Sequence, residues 1–158
     1  MKLSIKKGVS FGLTSGVITT LGLIVGLTSG TGSKLVVLGG IITIAIADAF
    51  SDALGMHISE EAENKHTTRE IWESTISTFL AKFVFALTFI IPILLFNLSL
   101  AVIVSIIYGL LVLSIISYNM AKEQKESPLY VIGEHLLIAV VVIIITHFVG
   151  NYVSIIFG

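Results

Sequence analysis

The chain has 158 residues, of which 55% are hydrophobic and only 12% are charged. Soluble domains carry about a quarter charged residues, so this composition excludes an ordinary soluble protein and indicates an integral membrane protein. A net charge of −1 gives no reason to expect nucleic acid as a partner, and a chain without Cys has no disulfide, thiolate metal site or cysteine nucleophile.

Five apolar segments are long enough to cross a bilayer, which takes about 20 helical residues. We predict helices at about 9–28, 35–57, 76–96, 98–120 and 130–156, with a short polar cytoplasmic helix at about 58–75. Because backbone polar groups in lipid must pair within their own segment, the predicted fold class is all-α, as one membrane domain over 1–158. The basic start of the chain is expected to belong to an uncleaved first helix.

The basic residues are distributed unevenly along this alternating path. If the five helices alternate, Lys34 is the only basic residue on one side of the membrane, and Lys82 counts with the others on the opposite side. The positive-inside rule therefore places the N-terminus and the 58–75 segment in the cytoplasm and the C-terminus outside. We expect the membrane to be a prokaryotic plasma membrane.

Helix 1 is rich in small residues. Its glycines recur every four residues, at Gly8, Gly12 and Gly16 and again at Gly22 and Gly26. Such spacing lets helix backbones approach closely in lipid, either within the chain or at a subunit interface, and the pattern fits both. Hydroxyls among these glycines, including Ser15 and Thr19, could line an ion path or bond back to their own helix.

Helix 2 carries two acids at membrane depth. Asp48, Asp52 and Met56 are spaced four residues apart and so share one helical face. Intramembrane carboxylates are costly and mark a functional site by default. Their oxygens and a thioether suit a first-row divalent cation, and a second copy across a two-fold axis would complete its ligands. The alternative is that the two acids hydrogen-bond to neighbouring helices or pair with Lys82, near the cytoplasmic end of helix 3.

The polar segment that follows offers a second set of donors. Glu63, His66 and Glu70 lie on one face if the segment is helical, and carboxylate with imidazole suits Fe²⁺, Mn²⁺ or Zn²⁺. We predict a cytoplasmic metal-capture site there. The alternative is a solvated helix whose acids pair with Lys65 and Arg69.

Two prolines and the remaining polar residues complete the chain. Pro92 is expected to kink or end helix 3, and Pro128 suits the first turn of helix 5. Glu134 follows where the helix dipole stabilises an anion, and it is also a candidate for the ion path, as is Glu60. The sequence leaves open the roles of His57, His135 and His147.

Several stretches resemble the vacuolar iron transporter family. They are Gly12-Leu13-Thr14-Ser15-Gly16, the segment 47–70 that includes Ser51, Leu54 and Gly55, and the segment 133–153. The resemblance implies a five-helix protomer in a homodimer, with the ion path at the two-fold axis and lined by helices 1 and 2. It further implies proton-coupled export of a divalent metal from the cytosol, with the metal gathered by Glu residues after helix 2.

The sequence departs from the family pattern in three places. The first-helix Asp of the family falls at Ser15, its pore Met falls at Asp52, and a second-helix Glu falls near Ile44. The large cytoplasmic metal-binding domain is reduced to about one short helix. We expect Asp48 and Asp52 to take over the missing carboxylate role.

Taken together, the sequence predicts a transporter and not an enzyme. Fe²⁺ or Mn²⁺ is the expected cargo, exported in exchange for protons, with no permanently bound cofactor and with a second copy of the chain as partner. A membrane-embedded metal-dependent enzyme is one alternative, although none of the four His residues belongs to an HExxH-like pair. A non-transporting membrane partner, and transport of protons or another small cation, are the others.

Overall fold

The computed structural model describes residues 2–158 as a bundle of helices without strands in that range. The helices are α1 (Leu3–Thr31), α2 (Lys34–Ala62), α3 (Thr68–Thr88), α4 (Ile90–Leu95), α5 (Leu98–Gln124) and α6 (Pro128–Phe157). Counting α3 and α4 together, five spans are long and apolar enough to cross a membrane. This confirms the predicted all-α, five-span fold.

The connection between α1 and α2 is a turn of two residues. Gly32 ends α1 in the left-handed region (φ 59°) and donates a hydrogen bond from its N–H to the Thr28 carbonyl at 2.9 Å. Ser33 then caps α2 by accepting from the N–H of Val36. A glycine in the left-handed conformation is the usual way to end a helix, and here it turns the chain straight back. We call the end of the bundle that holds residues 2–8 the N-terminal end, and the end with this turn the opposite end.

The polar stretch 58–75 is not a separate helix, which differs from our prediction. Its first part continues α2 to Ala62, and Asn64 then adopts a positive φ of 51° that breaks the helix. Thr67 and Glu70 form a capping box that starts α3 at Thr68. Since this box satisfies N–H groups at the helix start, it fixes the boundary within the polar stretch.

Pro92 interrupts the third span as predicted. The helix breaks at Phe89, between α3 and α4, three residues before the proline. Pro92 has no N–H to donate to the carbonyl four residues earlier, so the helical ladder cannot continue unbroken through this point.

The glycines of α1 pack against helices of the same chain. A Cβ atom added to Gly12 would lie 2.5 Å from the Thr78 carbonyl of α3, and one added to Gly22 would lie 2.9 Å from Val142 of α6. Of the two interpretations left open by the sequence, packing within the chain is the one that the structure shows for these positions. The glycines bring α1 into backbone contact with α3 and α6.

The apolar core occupies the middle and the opposite end of the bundle. It includes Val17, Leu21, Ile24, Ile41, Phe89 and Ile93. Of the buried charged residues, Glu60 of α2 lies toward the N-terminal end and Lys82 of α3 lies near the middle of its span. This division leaves the polar chemistry of the protein between α1, α2 and α3.

Candidate cation site

Lys82 is buried at the centre of a charged cluster inside the bundle. Its side chain is only 1% exposed, and its Nζ atom donates hydrogen bonds to Oδ2 of Asp52 at 2.5 Å and to Oγ of Ser15 at 2.8 Å. The same ammonium group forms an ion pair with Oδ2 of Asp48. Asp48 lies halfway along α2, so the cluster lies near the middle of the bundle.

The depth of Lys82 corrects one of our predictions. The sequence placed this residue near the cytoplasmic end of its helix, but it lies halfway along the span that runs from Thr68 to Leu95. The error arose because α3 begins at Thr68 and not near Ile76. Lys82 therefore does not count among the basic residues at either end of the bundle.

Pairing of Lys82 with both acids is one of the two interpretations that the sequence left open for Asp48 and Asp52. One ammonium offsets only one of the two carboxylates, so with all three groups ionised the cluster carries one net negative charge. Both Asp side chains stay partly exposed on the outside of α2, at 26% and 18%. The role of the acids as metal ligands stays a prediction.

Ser15 and Thr19 have different surroundings. Ser15 accepts the hydrogen bond from Lys82, at the position where the family resemblance leads one to expect an acid. Thr19 donates to the carbonyl of Ser15 at 2.9 Å, so its hydroxyl is bonded back to its own helix. Of these two helix 1 residues, only Ser15 contacts the charged cluster through its side chain.

A cavity of about 760 Å³ opens at the N-terminal end between α1, α2, α5 and α6. Its lining includes Met56, Glu60, Glu63, His66, Met120 and His135. Met56 is therefore part of this cavity, whereas the lining includes neither Asp48 nor Asp52. Thr14 also lines it, and its buried hydroxyl has no hydrogen-bond partner among residues 2–158.

Three metal-compatible side chains meet at the mouth of this cavity. Glu60, Glu63 and His66 each offer a ligand atom, and these atoms lie within 4.8 Å of one another. Nε2 of His66 is 3.2 Å from Oε2 of Glu63 and 3.4 Å from Oε2 of Glu60. Carboxylate oxygens with an imidazole nitrogen are ligands that first-row divalent metals accept. We call Glu60, Glu63 and His66 the mouth cluster.

Lys7 of α1 also contacts the mouth cluster. Its ammonium forms an ion pair with the buried Glu60 and lies 3.6 Å from Oε1 of Glu63. The hydrogen bond from His66, together with the positive charge of Lys7, holds the pKa of the Glu63 carboxyl below its usual range. Glu63 is therefore kept in the charged form that binds cations.

Glu70, which was predicted together with Glu63 and His66, lines the same cavity but lies outside the mouth cluster, and its role as a metal ligand stays a prediction. Its carboxylate accepts hydrogen bonds from the N–H and the hydroxyl of Thr67, at 2.9 and 2.8 Å, and so caps α3. The prediction assumed one continuous helix, and the turn at 63–67 brings Glu60 in instead. Glu134 is exposed and does not line the cavity.

The histidines whose roles the sequence left open each contact a hydroxyl through Nδ1. His57 lies 3.0 Å from Thr75, while His135 lies 2.7 Å from Ser117 and His147 lies 2.7 Å from Ser29. Each pair joins two different helices. Sequence spacing gave no signal for these contacts, because both partners are far apart along the chain.

These features define a multi-pass helical membrane protein with charged groups inside its bundle and metal-compatible side chains at one end. The model of the VIT family matches residues 6–73, which include most of α1, all of α2 and the start of α3, so this part of the chain is similar to the VIT family. The resemblance predicted from the sequence is thereby confirmed. The family suggests a metal ion transporter of the vacuolar iron transporter type. No curated protein matches the chain.

Proposed function

We propose that the protein transports a divalent transition-metal ion, Fe²⁺ or Mn²⁺, out of the cytoplasm in exchange for protons. The observation that carries this proposal is the mouth cluster, in which two carboxylates and an imidazole converge at the opening of a cavity. The similarity to the VIT family supports transport of a metal ion. The metal is cargo here, and a resident cofactor is not required.

Capture of the metal begins with an exchange of cations at the mouth cluster. Lys7 now neutralises part of its negative charge, and the Lys7 side chain is 44% exposed, so it can withdraw into water. A divalent ion supplies twice the charge of the ammonium that it replaces and binds directly to the same oxygens. The ligand atoms are already close together, which reduces the entropic cost of binding.

The route onward follows α2. Met56 lies one helical turn from Glu60 and offers a thioether to the cavity, and the unpartnered hydroxyl of Thr14 faces the same space. Asp52 and Asp48 follow at further turns of α2. We propose that these two acids receive the ion at membrane depth and that they accept protons when the ion leaves.

A two-fold dimer is part of this proposal, because one face of α2 is unpartnered. Small residues recur on it every four positions, and all are exposed: Gly39, Thr43, Ala47, Ser51, Gly55 and Ser59. A Cβ atom added to Gly39 or Gly55 would meet nothing within 4 Å. Small residues are typical of helix-packing faces in lipid. Asp48 and Asp52 each follow a member of this stripe, so a second copy placed on it would bring two acid pairs together.

The distribution of basic residues supports export from the cytoplasm. With Lys82 inside the bundle, the N-terminal end still holds Lys2, Lys6, Lys7, Lys65, Arg69, Lys122 and Lys125. Lys34 is at the opposite end, where its ammonium donates to the carbonyls of Leu94 and Phe96. By the positive-inside rule, the mouth cluster faces the cytoplasm.

Flux measured in liposomes tests the proposal. Purified protein is reconstituted, and uptake or release of Fe²⁺ and Mn²⁺ is followed with a metal-sensitive dye under an imposed pH gradient. We expect wild-type flux that depends on the gradient and is lost in the Glu63→Gln/His66→Ala variant. Glu61→Gln, an exposed neighbour outside the cluster, serves as the control and should retain flux. Full flux in the double variant would contradict the proposal.

A further inference from the structure

The ammonium of Lys82 occupies the place that a cation shared by Asp48 and Asp52 would take. It contacts Oδ2 of both acids, at 2.5 Å in the case of Asp52. A metal ion bound by the two carboxylates would need these same oxygens. Lys82 and such an ion therefore cannot both hold the pair in this arrangement.

We propose that Lys82 is a tethered cation that competes with the transported ion for Asp48 and Asp52, and that it sets the affinity of this site. The inference rests on the proposed function, since it concerns the same pair of acids. It adds a residue outside the segment that matches the family model, which ends at residue 73.

The tether keeps the competitor at the site. The Lys82 side chain is 1% exposed and passes beneath α1, where a Cβ atom added to Gly16 would lie 3.4 Å from Lys82 Cγ. A competitor that is part of the same chain acts at a high effective concentration and cannot be diluted away. An incoming ion must therefore bind the two carboxylates more strongly than the ammonium does.

Charge decides which ions can do this. In a medium of low dielectric constant, the attraction between an ion and the pair grows in proportion to the charge of the ion. A hydrated monovalent ion offers no more charge than Lys82 and no tether, whereas a divalent ion offers twice the charge. The lysine thus selects divalent over monovalent cations at this site.

Ser15 gives the displaced ammonium a place to remain. Its hydroxyl already accepts a hydrogen bond from Nζ at 2.8 Å, so Lys82 retains one partner when both acids turn to the ion. An acid at position 15 would hold the lysine with a full charge and would add a third carboxylate to the cluster. A neutral acceptor at this position therefore suits a lysine that has to be released.

Two substitutions of opposite expected effect test the proposal. Mn²⁺ binding is measured by calorimetry and electron paramagnetic resonance on purified protein that carries Glu63→Gln/His66→Ala, so that the mouth cluster does not contribute. Adding Lys82→Met removes the competitor and should tighten Mn²⁺ binding by about tenfold or more. Adding Lys82→Arg should weaken it, because a guanidinium group fits two carboxylate oxygens better than an ammonium group does. Asp48→Asn/Asp52→Asn should abolish the tightened binding.

Each outcome bears on the proposal. Mn²⁺ affinity that is unchanged or weaker with Lys82→Met, in protein that elutes as a single folded species, overturns it. If Lys82→Met fails to give folded protein, Lys82→Arg decides. The proposal is then overturned if the Lys82→Arg protein binds Mn²⁺ as tightly as the protein that keeps Lys82, or more tightly. The proposed function is judged separately, by flux in liposomes. If flux is intact but neither Lys82 variant changes the Mn²⁺ affinity, the proposal that Lys82 is a competitor fails and the transport function stands. If Lys82→Met tightens Mn²⁺ binding but the wild-type protein shows no metal flux, the transport function fails instead.

Discussion

Lys82 and Asp52 are joined by a hydrogen bond of 2.5 Å in the middle of a bundle that is otherwise largely apolar. The residues belong to different helices, α3 and α2, and Asp48 shares the same ammonium. With one more acid than lysine, the cluster is balanced only when a further positive charge joins it or one acid becomes neutral. The first prediction follows from this charge count.

Replacing Asp52 by Asn should abolish metal transport without preventing dimer formation. The substitution leaves Lys82 paired with Asp48, so the fold keeps a balanced ion pair while the second carboxylate ligand is lost. We expect Fe²⁺ and Mn²⁺ flux in proteoliposomes to fall by at least about tenfold, as for loss of a charged ligand. Glu126→Gln, which neutralises an exposed acid between α5 and α6 that does not line the cavity, should leave flux unchanged. Undiminished flux in Asp52→Asn would falsify the assignment.

Glu63 and Glu70 should differ in their effect on metal binding. Glu63 belongs to the mouth cluster, whereas the carboxylate of Glu70 caps α3 through Thr67. We expect Glu63→Gln to weaken Mn²⁺ binding by about tenfold, measured by calorimetry. Glu70→Gln should change it by less than about twofold, because Gln can also complete a capping box. Equal losses in the two variants would show that Glu70 is a ligand after all.

Glu63 should also contribute to stability in a way that depends on pH. Its pKa is held below the usual value of about 4.3, by the hydrogen bond from His66 and by Lys7. The stabilisation is therefore present above the unfolded-state pKa and is lost as the pH falls through the lower folded-state pKa. The difference in melting temperature between wild type and Glu63→Gln should narrow as the pH falls from about 5 to below about 4. The difference between wild type and Glu61→Gln serves as the reference.

The packing of α1 against α3 should not tolerate a methyl group at Gly12. A Cβ atom there would lie 2.5 Å from the carbonyl oxygen of Thr78, which is backbone and cannot rotate away. We expect Gly12→Ala to destabilise the protein by about 1–3 kcal/mol, as overpacking does, and to lower the melting temperature in detergent. Gly133→Ala is the matched control, because its Cβ would meet nothing within 4 Å. A Gly12→Ala variant as stable as the control would argue against this close approach.

The stripe of small residues on α2 should form the dimer interface. Ala47 and Gly55 are exposed members of it, so Ala47→Leu and Gly55→Leu should dissociate the dimer in detergent, as seen by native mass spectrometry. Ile107→Phe, on the exposed face of α5, should not. Because the chain has no Cys, a single Ser51→Cys substitution offers an independent test, and it should give a cross-linked dimer. If the wild-type protein and all of these variants are monomeric, the proposed dimer on α2, and with it a site shared by two copies, is contradicted.

Hydropathy alone was sufficient for the five spans, because each needs only length and apolar composition. Hydropathy placed the start of the third span too late, because polar residues form the first turns of α3. The hydroxyls of Thr75, Ser77 and Thr78 each donate to a carbonyl of the preceding turn, so their polarity is satisfied within the helix. The capping box of Thr67 and Glu70 was a readable signal for this boundary. It would have placed Lys82 at membrane depth and assigned the Glu70 carboxylate to the cap of α3.

The acids of α2 could be recognised from the sequence, but their partners could not. Asp48 and Asp52 stand out because carboxylates within an apolar span are rare. Their contact with Lys82, and the contact of Lys82 with Ser15, depend on how three helices pack, and spacing along a single helix carries no information about that. The same holds for the contacts between the histidines and hydroxyls on other helices.

The turn of two residues at Gly32 and Ser33 makes α1 and α2 the two arms of a hairpin that is closed covalently at one end only. At the free end, the ion pairs of Lys7 with Glu60 and Glu63 hold the arms together. A cation that binds these two acids in place of Lys7 breaks both ion pairs. Loading of the mouth cluster would then also remove the ion pairs that join the two arms at the N-terminal end.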